Sequence, residues 1–327
     1  MTTVCRLAVA LVWMAVAMSM IGQRASAEEY PSRTVKIIVP YPAGGPIDVI
    51  GRTLAQQLSE AFGKPFYVEN IVGAGGAIGM GAVANAPADG HTILVANENL
   101  ILQPIIKAKV PFDPFKSFAP VTLVASAPMM VAVHSSLPAH NMKDLLALLK
   151  ANQGKYNYAS PGYGTSPHLA SERLFNLTYK LNVIHVPFQG AAAAVQAVLS
   201  GEPPLFHEVL PAVAPHIRQG SMRALAVASS SRSEFFPSVP TLEETGTAGH
   251  EVGFWSGVLL PAGTPQSIVE RLWREIAKAM SPPEVRGKFA TMGFDQSQST
   301  PEEFSTLLTT ASAKWRKVVN DANIKIE

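Results

Sequence analysis

Two short loops carry the residue types best suited to holding a ligand. In Val39-Pro40-Tyr41-Pro42-Ala43-Gly44-Gly45-Pro46-Ile47-Asp48 a strand pattern ends, two glycines turn the chain, and a helix pattern begins. The first N–H groups of a helix have no partner within it, and with the helix dipole they attract an anion without a basic side chain. Glycine at 44 and 45 lets a ligand approach the backbone closely. Tyr41, Ala43, Gly44, Gly45 and Asp48 are therefore candidate binding residues, the alternative being an ordinary strand-to-helix turn.

The second segment has the same design. Tyr156 to Ala159 leads into Ser160-Pro161-Gly162-Tyr163-Gly164-Thr165-Ser166-Pro167, and a helix pattern follows. Ser166 is a plausible N-cap with Pro167 at the first helical position. The hydroxyls of Ser160, Thr165 and Ser166 and the amides near Gly164 are expected to grip one carboxylate, with Tyr163 as a wall. On separate lobes, the two loops would clamp an anion between them. Taken alone, this segment also reads as a Gly/Ser loop with a routine cap.

Other constellations are weaker. The glycines of Gly73-Ala74-Gly75-Gly76-Ala77-Ile78-Gly79-Met80-Gly81 miss the dinucleotide fingerprint at Ile78, and the phosphate-loop spacing from Gly76 to Gly81 is followed by Ala82-Val83 instead of Lys-Ser/Thr. The eight histidines show no paired metal-ligand spacing, and no Gly-x-Ser-x-Gly elbow occurs. His168 stands in the first turn after Ser166, where capping or packing competes with a catalytic role. Glu208 follows Leu205-Phe206 and reads either as a cleft-facing acceptor or as a solvated strand end.

The elements that must position these residues alternate. Val35–Val39, 49–62, 66–69, 77–86 and 92–96 read strand, helix, strand, helix, strand, with Ile50, Leu54, Leu58 and Ala61 at helical spacing and Gly63 as a C-terminal cap. A parallel sheet covered by helices follows. The middle of the chain repeats the theme, with strands at 130–133, 156–159, 183–186 and 224–228 and helices at 142–151, 167–175 and 191–199. Three helices close it, near 265–280, 283–291 and 301–320, signposted by Thr264-Pro265, Thr300-Pro301 and capping boxes at Thr241–Glu244, Ser281–Glu284 and Thr300–Glu303. Two α/β units and a helical tail fit a bilobed protein with a cleft.

Composition narrows the class. With 327 residues, 47% hydrophobic and 15% charged, the chain is an ordered globular protein. Its formal charge is +2, but Arg6 and Arg24 precede every acid, so residues 28–327 hold 24 basic and 24 acidic side chains. No basic run appears, which argues against a nucleic-acid partner. Arg6, the apolar run Leu7 to Ile21 and Ala25-Ser26-Ala27 read as a secretory signal peptide over residues 1–27, cleaved near Ala27. The single cysteine, Cys5, falls inside it, so the exported protein is expected to have neither disulfide nor thiolate site.

Read together, these segments resemble one family, the Bug receptors, which are periplasmic solute-binding components of tripartite tricarboxylate transporters. The resemblance rests on Tyr30-Pro31, the Pro-x-Gly-Gly-x-x-Asp run ending at Asp48, and Val68-Glu69-Asn70 before Gly73-Ala74-Gly75-Gly76. It continues through Ala88-Asp89-Gly90, Phe118-Ala119-Pro120-Val121, Gly162 to Ser166 with His168-Leu169-Ala170, and His185-Val186-Pro187. Arg223 to Val227, Trp255 with Gly257, and Pro261 to Pro265 complete it.

That resemblance implies an α/β, bilobed type II periplasmic binding protein fold, with two domains around a ligand cleft that closes on a small carboxylate. It implies no cofactor and no enzymatic activity. Domain 1 is expected at 28–127 and 250–327, domain 2 at 128–249. Carried over, Ala43, Gly44, Gly45 and Asp48 lie on one lobe and Ser160, Gly164, Thr165 and Ser166 on the other, with Gln189, Gly190 and Ala191 as a third contact segment. The expected partners are the ligand and membrane permease subunits, and the receptor is expected to be a periplasmic monomer. Pro46 departs from a small polar residue and removes one amide donor. Glu208 stands where an aspartate is frequent, and would repel a second ligand carboxylate, favouring an amino, amide or hydroxyl group. Pro203-Pro204 count against a strand there. The other readings are an exported hydrolase or isomerase using His168 or His207, and an orphan sensor for a membrane regulator.

Overall fold

A computed structural model describes residues 30–107, 109–250 and 253–322, so the expected signal peptide and Cys5 lie outside the described residues. From Arg33 onward the described residues form one compact unit; the unit before it is described at Tyr30–Ser32 alone. Strand β1 (Val35–Val39) is followed by α1 (Pro46–Phe62), β2 (Phe66–Asn70), α2 (Ala77–Ala84), β3 (Thr92–Asn97) and α3 (Asn99–Ile106). In α1 Ile50, Leu54 and Leu58 are buried as their spacing predicts, while Ala61 ends exposed. Gly63 closes the helix in the left-handed region, its N–H bonded to Ser59 O at 3.0 Å.

The 17-residue strand β4 (Phe118–His134) leads to α4 (Met142–Ala151), β5 (Asn157–Ser160), α5 (Ser166–Ser171), β6 (Ile184–Pro187), α6 (Ala191–Leu199), β7 (Leu205–Val209), α7 (Leu210–Arg218) and β8 (Met222–Val227). The last part holds β9 (Gly253–Pro261), α8 (Gln266–Met280), α9 (Pro283–Met292), β10 (Asp295–Gln296) and α10 (Pro301–Ala322). The helix expected at 167–175 is α5 continued by a wider π-helical stretch, Glu172–Thr178.

The expected all-parallel sheet is corrected to a mixed one. β1 pairs parallel with β2 and β3, and β5 pairs parallel with β6 and β7. Between these sets run the antiparallel strands. β9 pairs with β3 and with β4 over Phe118–Pro128, and from Met129 onward β4 pairs with β7 and β8. Only Met130 to Val133 of β4 reads as a strand in sequence, because Pro120, Ser126 and Pro128 interrupt its apolar pattern. Two register shifts against β9 fall between Pro120 and Thr122 and between Leu123 and Ala125, whereas Ser126 and Pro128 pair in regular register.

The other corrections are local. β7 forms directly after Pro203-Pro204, since prolines before a strand's first residue remove no ladder bond inside it, and Leu205 and Phe206 are fully buried. The Thr300–Glu303 box is reciprocal, with Thr300 N to Glu303 Oε2 at 2.8 Å and Glu303 N to Thr300 Oγ1 at 3.2 Å. The Thr241–Glu244 box forms equally but closes a turn. Ser281 does not cap α9; its hydroxyl turns back to Lys278 O, and Pro282 is the N-cap. Pro265 is likewise the N-cap of α8, with Thr264 Oγ1 bonded to Pro261 O.

The glycine cluster that misses the nucleotide fingerprints has a packing role. A Cβ at Gly79 would lie 2.5 Å from the Ile71 carbonyl oxygen and 2.9 Å from Pro40 Cβ, so only a hydrogen lets α2 sit against the ends of β1 and β2. Gly79→Ala is expected to destabilise the protein by about 1–3 kcal/mol. A clear drop in the thermal midpoint checks it; an unchanged midpoint would contradict this packing.

Candidate functional site

The carboxyl ends of six strands converge on one cavity of about 580 Å³. β1, β2 and β3 supply one side through Tyr41 to Gly45, Val72 to Gly76, and Asn97 to Asn99; β5, β6 and β7 supply the other through Pro161 to Tyr163, Pro187 to Ala191, and Glu208. This is the place where an open α/β sheet presents loops and helix N-termini to a ligand. The two sides touch at its floor, where Gln103 Nε2 donates to Gly164 O at 3.2 Å and Ser166 Oγ donates to Glu98 Oε1.

Most of the residues singled out in sequence are brought together here. Tyr41, Ala43 and Gly45 line one side, Tyr163, Thr165, Ser166, Gln189, Gly190, Ala191 and Glu208 the other. Gly44, Asp48, Ser160 and Gly164 do not line the cavity. Asp48 is buried and holds the first loop from behind. Its Oδ2 accepts from Gly44 N at 2.9 Å and Arg52 Nε at 2.8 Å, and its Oδ1 from Asn70 Nδ2 at 2.9 Å. Although burial opposes it, these bonds hold its carboxyl below the usual carboxylate range. Gly45 is the N-cap of α1, so the amides of Gly45, Ile47 and Asp48 have no acceptor within the helix, and Pro46 at the first helical position has no amide to offer.

In the second loop the hydroxyls are engaged by the protein itself. Ser160 Oγ lies 2.6 Å from His185 Nε2 and accepts from Gly162 N at 3.1 Å; Thr165 Oγ1 donates to Gly162 O at 2.8 Å; Ser166 Oγ is bonded to Glu98. Thr165, not Ser166, is the N-cap of α5. His168 Nδ1 accepts the Gly164 amide at 3.1 Å, and its ring stacks on His185 at 4.0 Å between centroids. Burial lowers the pKa of His168 to about 4 and of His185 to about 3, so both rings are neutral packing elements at neutral pH. Neither His168 nor His207 lines the cavity.

Sequence reasoning missed Glu98, which is nearly fully buried at the junction of β3 and α3 and lines the cavity. The available signal was an acid inside Ala96-Asn97-Glu98-Asn99-Leu100, between two apolar runs. Tyr41 Oη donates to Asn97 Oδ1 at 2.5 Å in the same wall, and burial pushes its phenol well above the ordinary range. Among the described residues no group of three or more His, Cys, Asp or Glu is placed to hold a metal ion, and no helix is long and apolar enough to cross a membrane.

Residues 50–324 match the family described as the tripartite tricarboxylate transporter family receptor. The chain belongs to this family. It is 33% identical over 97% of its length to BugT of Bordetella pertussis, 98% of which is covered. The solved structure of the periplasmic binding protein BugD superposes with a TM-score of 0.87 at 30% identity, over 91% of this chain and 100% of that one. A structure from R. palustris with adipate also gives 0.87, at 29% identity, over 91% and 99%. The receptor thus shares the two-lobed α/β fold of periplasmic binding proteins, as its sequence implies, and the cavity lies where the two sets of parallel strands face each other.

Two buried glutamates, Glu98 and Glu208, line the receptor's cavity together with Lys107. Burial pushes the Glu98 carboxyl up to about 7, against the lowering effect of the Ser166 hydroxyl. Burial pushes Glu208 up to about 8, with Val209 N lowering it and the Glu98 charge raising it. A carboxyl whose pKa is higher folded than unfolded keeps its proton in the folded chain, so stability falls as pH rises from the unfolded value of 4.5 through the folded one. The buried histidines act oppositely, withdrawing stability as pH falls below 6.5. Above pH 6.5 the two glutamates outlast the histidines, and the thermal midpoint of the ligand-free receptor is expected to fall by a few degrees between pH 6.5 and 8.5. Glu208→Gln is expected to flatten that slope, and a slope unchanged in the variant would contradict it.

Proposed function

We propose that this receptor captures a small organic acid between its lobes and hands it to membrane permease subunits. The observation that carries this reading is the pairing of two helix-opening loops, Tyr41 to Gly45 and Gly162 to Ser166, across a cavity of about 580 Å³. The ligand carboxylate is held by backbone amides of Gly45 and Ile47 and by water, with Thr165, Ser166 and the Gln189-Gly190-Ala191 segment facing it. Asp48, Gly44, Ser160 and Gly164 act as positioning residues that hold these loops in shape. A relative solved with adipate supports the ligand class.

The lobes are residues 28–127 with 250–327, and 128–249. The change of β4 partners between Pro128 and Met129 supports that division. Export after cleavage near Ala27, a periplasmic location, action as a monomer and the absence of catalysis follow from the same reading. Neutral, engaged His168 and the burial of His207 outside the cavity lining weigh against a hydrolase or isomerase.

Ligand screening by thermal shift tests this. A ligand at a hundred times its Kd adds about 2.7 kcal/mol of stability, a rise of several degrees. Gly45→Ala, whose Cβ has no neighbour closer than Pro42 O at 3.8 Å, is expected to fold normally yet weaken binding at least tenfold by crowding the amides. No shift with any mono-, di- or tricarboxylate, aromatic acid or amino acid would overturn the receptor reading.

A further inference from the structure

Large apolar side chains stand exposed on both sides of the cavity. Val72, after β2, is 50% exposed and Tyr163, after β5, is 58% exposed, and both line it. Ile78, 54% exposed, extends the ledge beside Val72 by lying over Gly73, where a Cβ would come within 2.6 Å of Ile78 Cδ1. The Tyr163 ring is braced edge-to-face by His185 and His168, with centroids 4.8 and 5.7 Å away. Pro42, Pro161 and Phe188 continue the same lining with side chains that carry no polar atom. Apolar surface left in water at a binding cavity is answered by an apolar body that covers it.

The side-chain donors of this lining already serve the protein. Tyr41 Oη donates to Asn97 Oδ1, Thr165 Oγ1 to Gly162 O, and Ser166 Oγ to Glu98 Oε1. Lys107 is the only cationic side chain on the lining among the described residues, and its Nζ is tied to Ala74 O at 2.8 Å. The unengaged amides at the start of α1 answer one carboxylate. A second carboxylate would give up its water against apolar walls and meet no cation that the chain does not already use.

Resting on the receptor reading above, we propose that the ligand is a monocarboxylate with an apolar body, an aromatic or aliphatic acid of ring size. Its carboxylate sits at the start of α1 and its body covers Val72 and Tyr163.

Calorimetry on the purified full chain with acids that share a skeleton tests this: benzoate against terephthalate, and hexanoate against adipate. In any pair that binds, the monoacid is expected to bind at least tenfold more tightly. Its binding enthalpy is expected to grow more negative as temperature rises, the sign of apolar burial. Tyr163→Ala and Val72→Ser, both at exposed positions, are each expected to weaken the monoacid fivefold or more. A diacid that binds as tightly as its partner, or monoacid affinity unchanged in both folded variants, overturns the proposal while the receptor reading stands. Should a variant fail to fold, the wild-type comparison still decides. If no member of either pair binds, the proposal is overturned, and the wider acid screen shows whether the receptor reading falls with it.

Discussion

The architecture depends on the hydrogen bonding of β4. One strand, Phe118–His134, serves β9 along its first part and β7 and β8 along its last, so the two parallel strand sets are held by a single continuous backbone. An antiparallel strand shared in this way fixes how the carboxyl ends of β1, β2 and β3 face those of β5, β6 and β7. Everything that lines the cavity follows from that facing, because parallel strands present their loops and helix N-termini at the same end. Two register shifts against β9 interrupt its ladder, one of them beside Pro120.

Within that frame the two loops are built on different principles. The first keeps its shape through a buried carboxylate: Asp48 reaches back from the first turn of α1 to bond Gly44, Arg52 and Asn70, so the loop's outer amides stay unengaged while its inner one is satisfied. The second loop is held by its own hydroxyls and by a stacked pair of neutral histidines. Both arrangements place polar side chains behind the wall and leave backbone at its face. Backbone amides attached to a strand-helix junction lose little entropy on binding, which suits a solute receptor.

The two buried glutamates show the electrostatic cost of this design. Glu98 and Glu208 lie in a buried, low-dielectric setting without a cation, and each raises the difficulty of ionising the other. Such groups weaken the folded state once they ionise. The Ser166–Glu98 bond spans the two sides of the cavity.

The sequence by itself determined the alternating elements, the two helix-opening loops and the family, because helical spacing, glycine turns and proline at a helix start are local signals. Ile50, Leu54 and Leu58 bury the face their spacing predicts, and Gly63 caps α1 as expected. Only the tertiary structure decided which side chains line the cavity. Ser160 and Asp48 carry the right chemistry at the right loops, yet both turn away from the cavity because nearer backbone amides satisfy them first. Glu98 and Glu208 lie far apart in the chain and meet because β3 and β7 end at the same cleft, and no local pattern encodes that meeting. The antiparallel course of β4 was equally illegible, since pairing partners more than a hundred residues away, not its own interrupted composition, make it a strand.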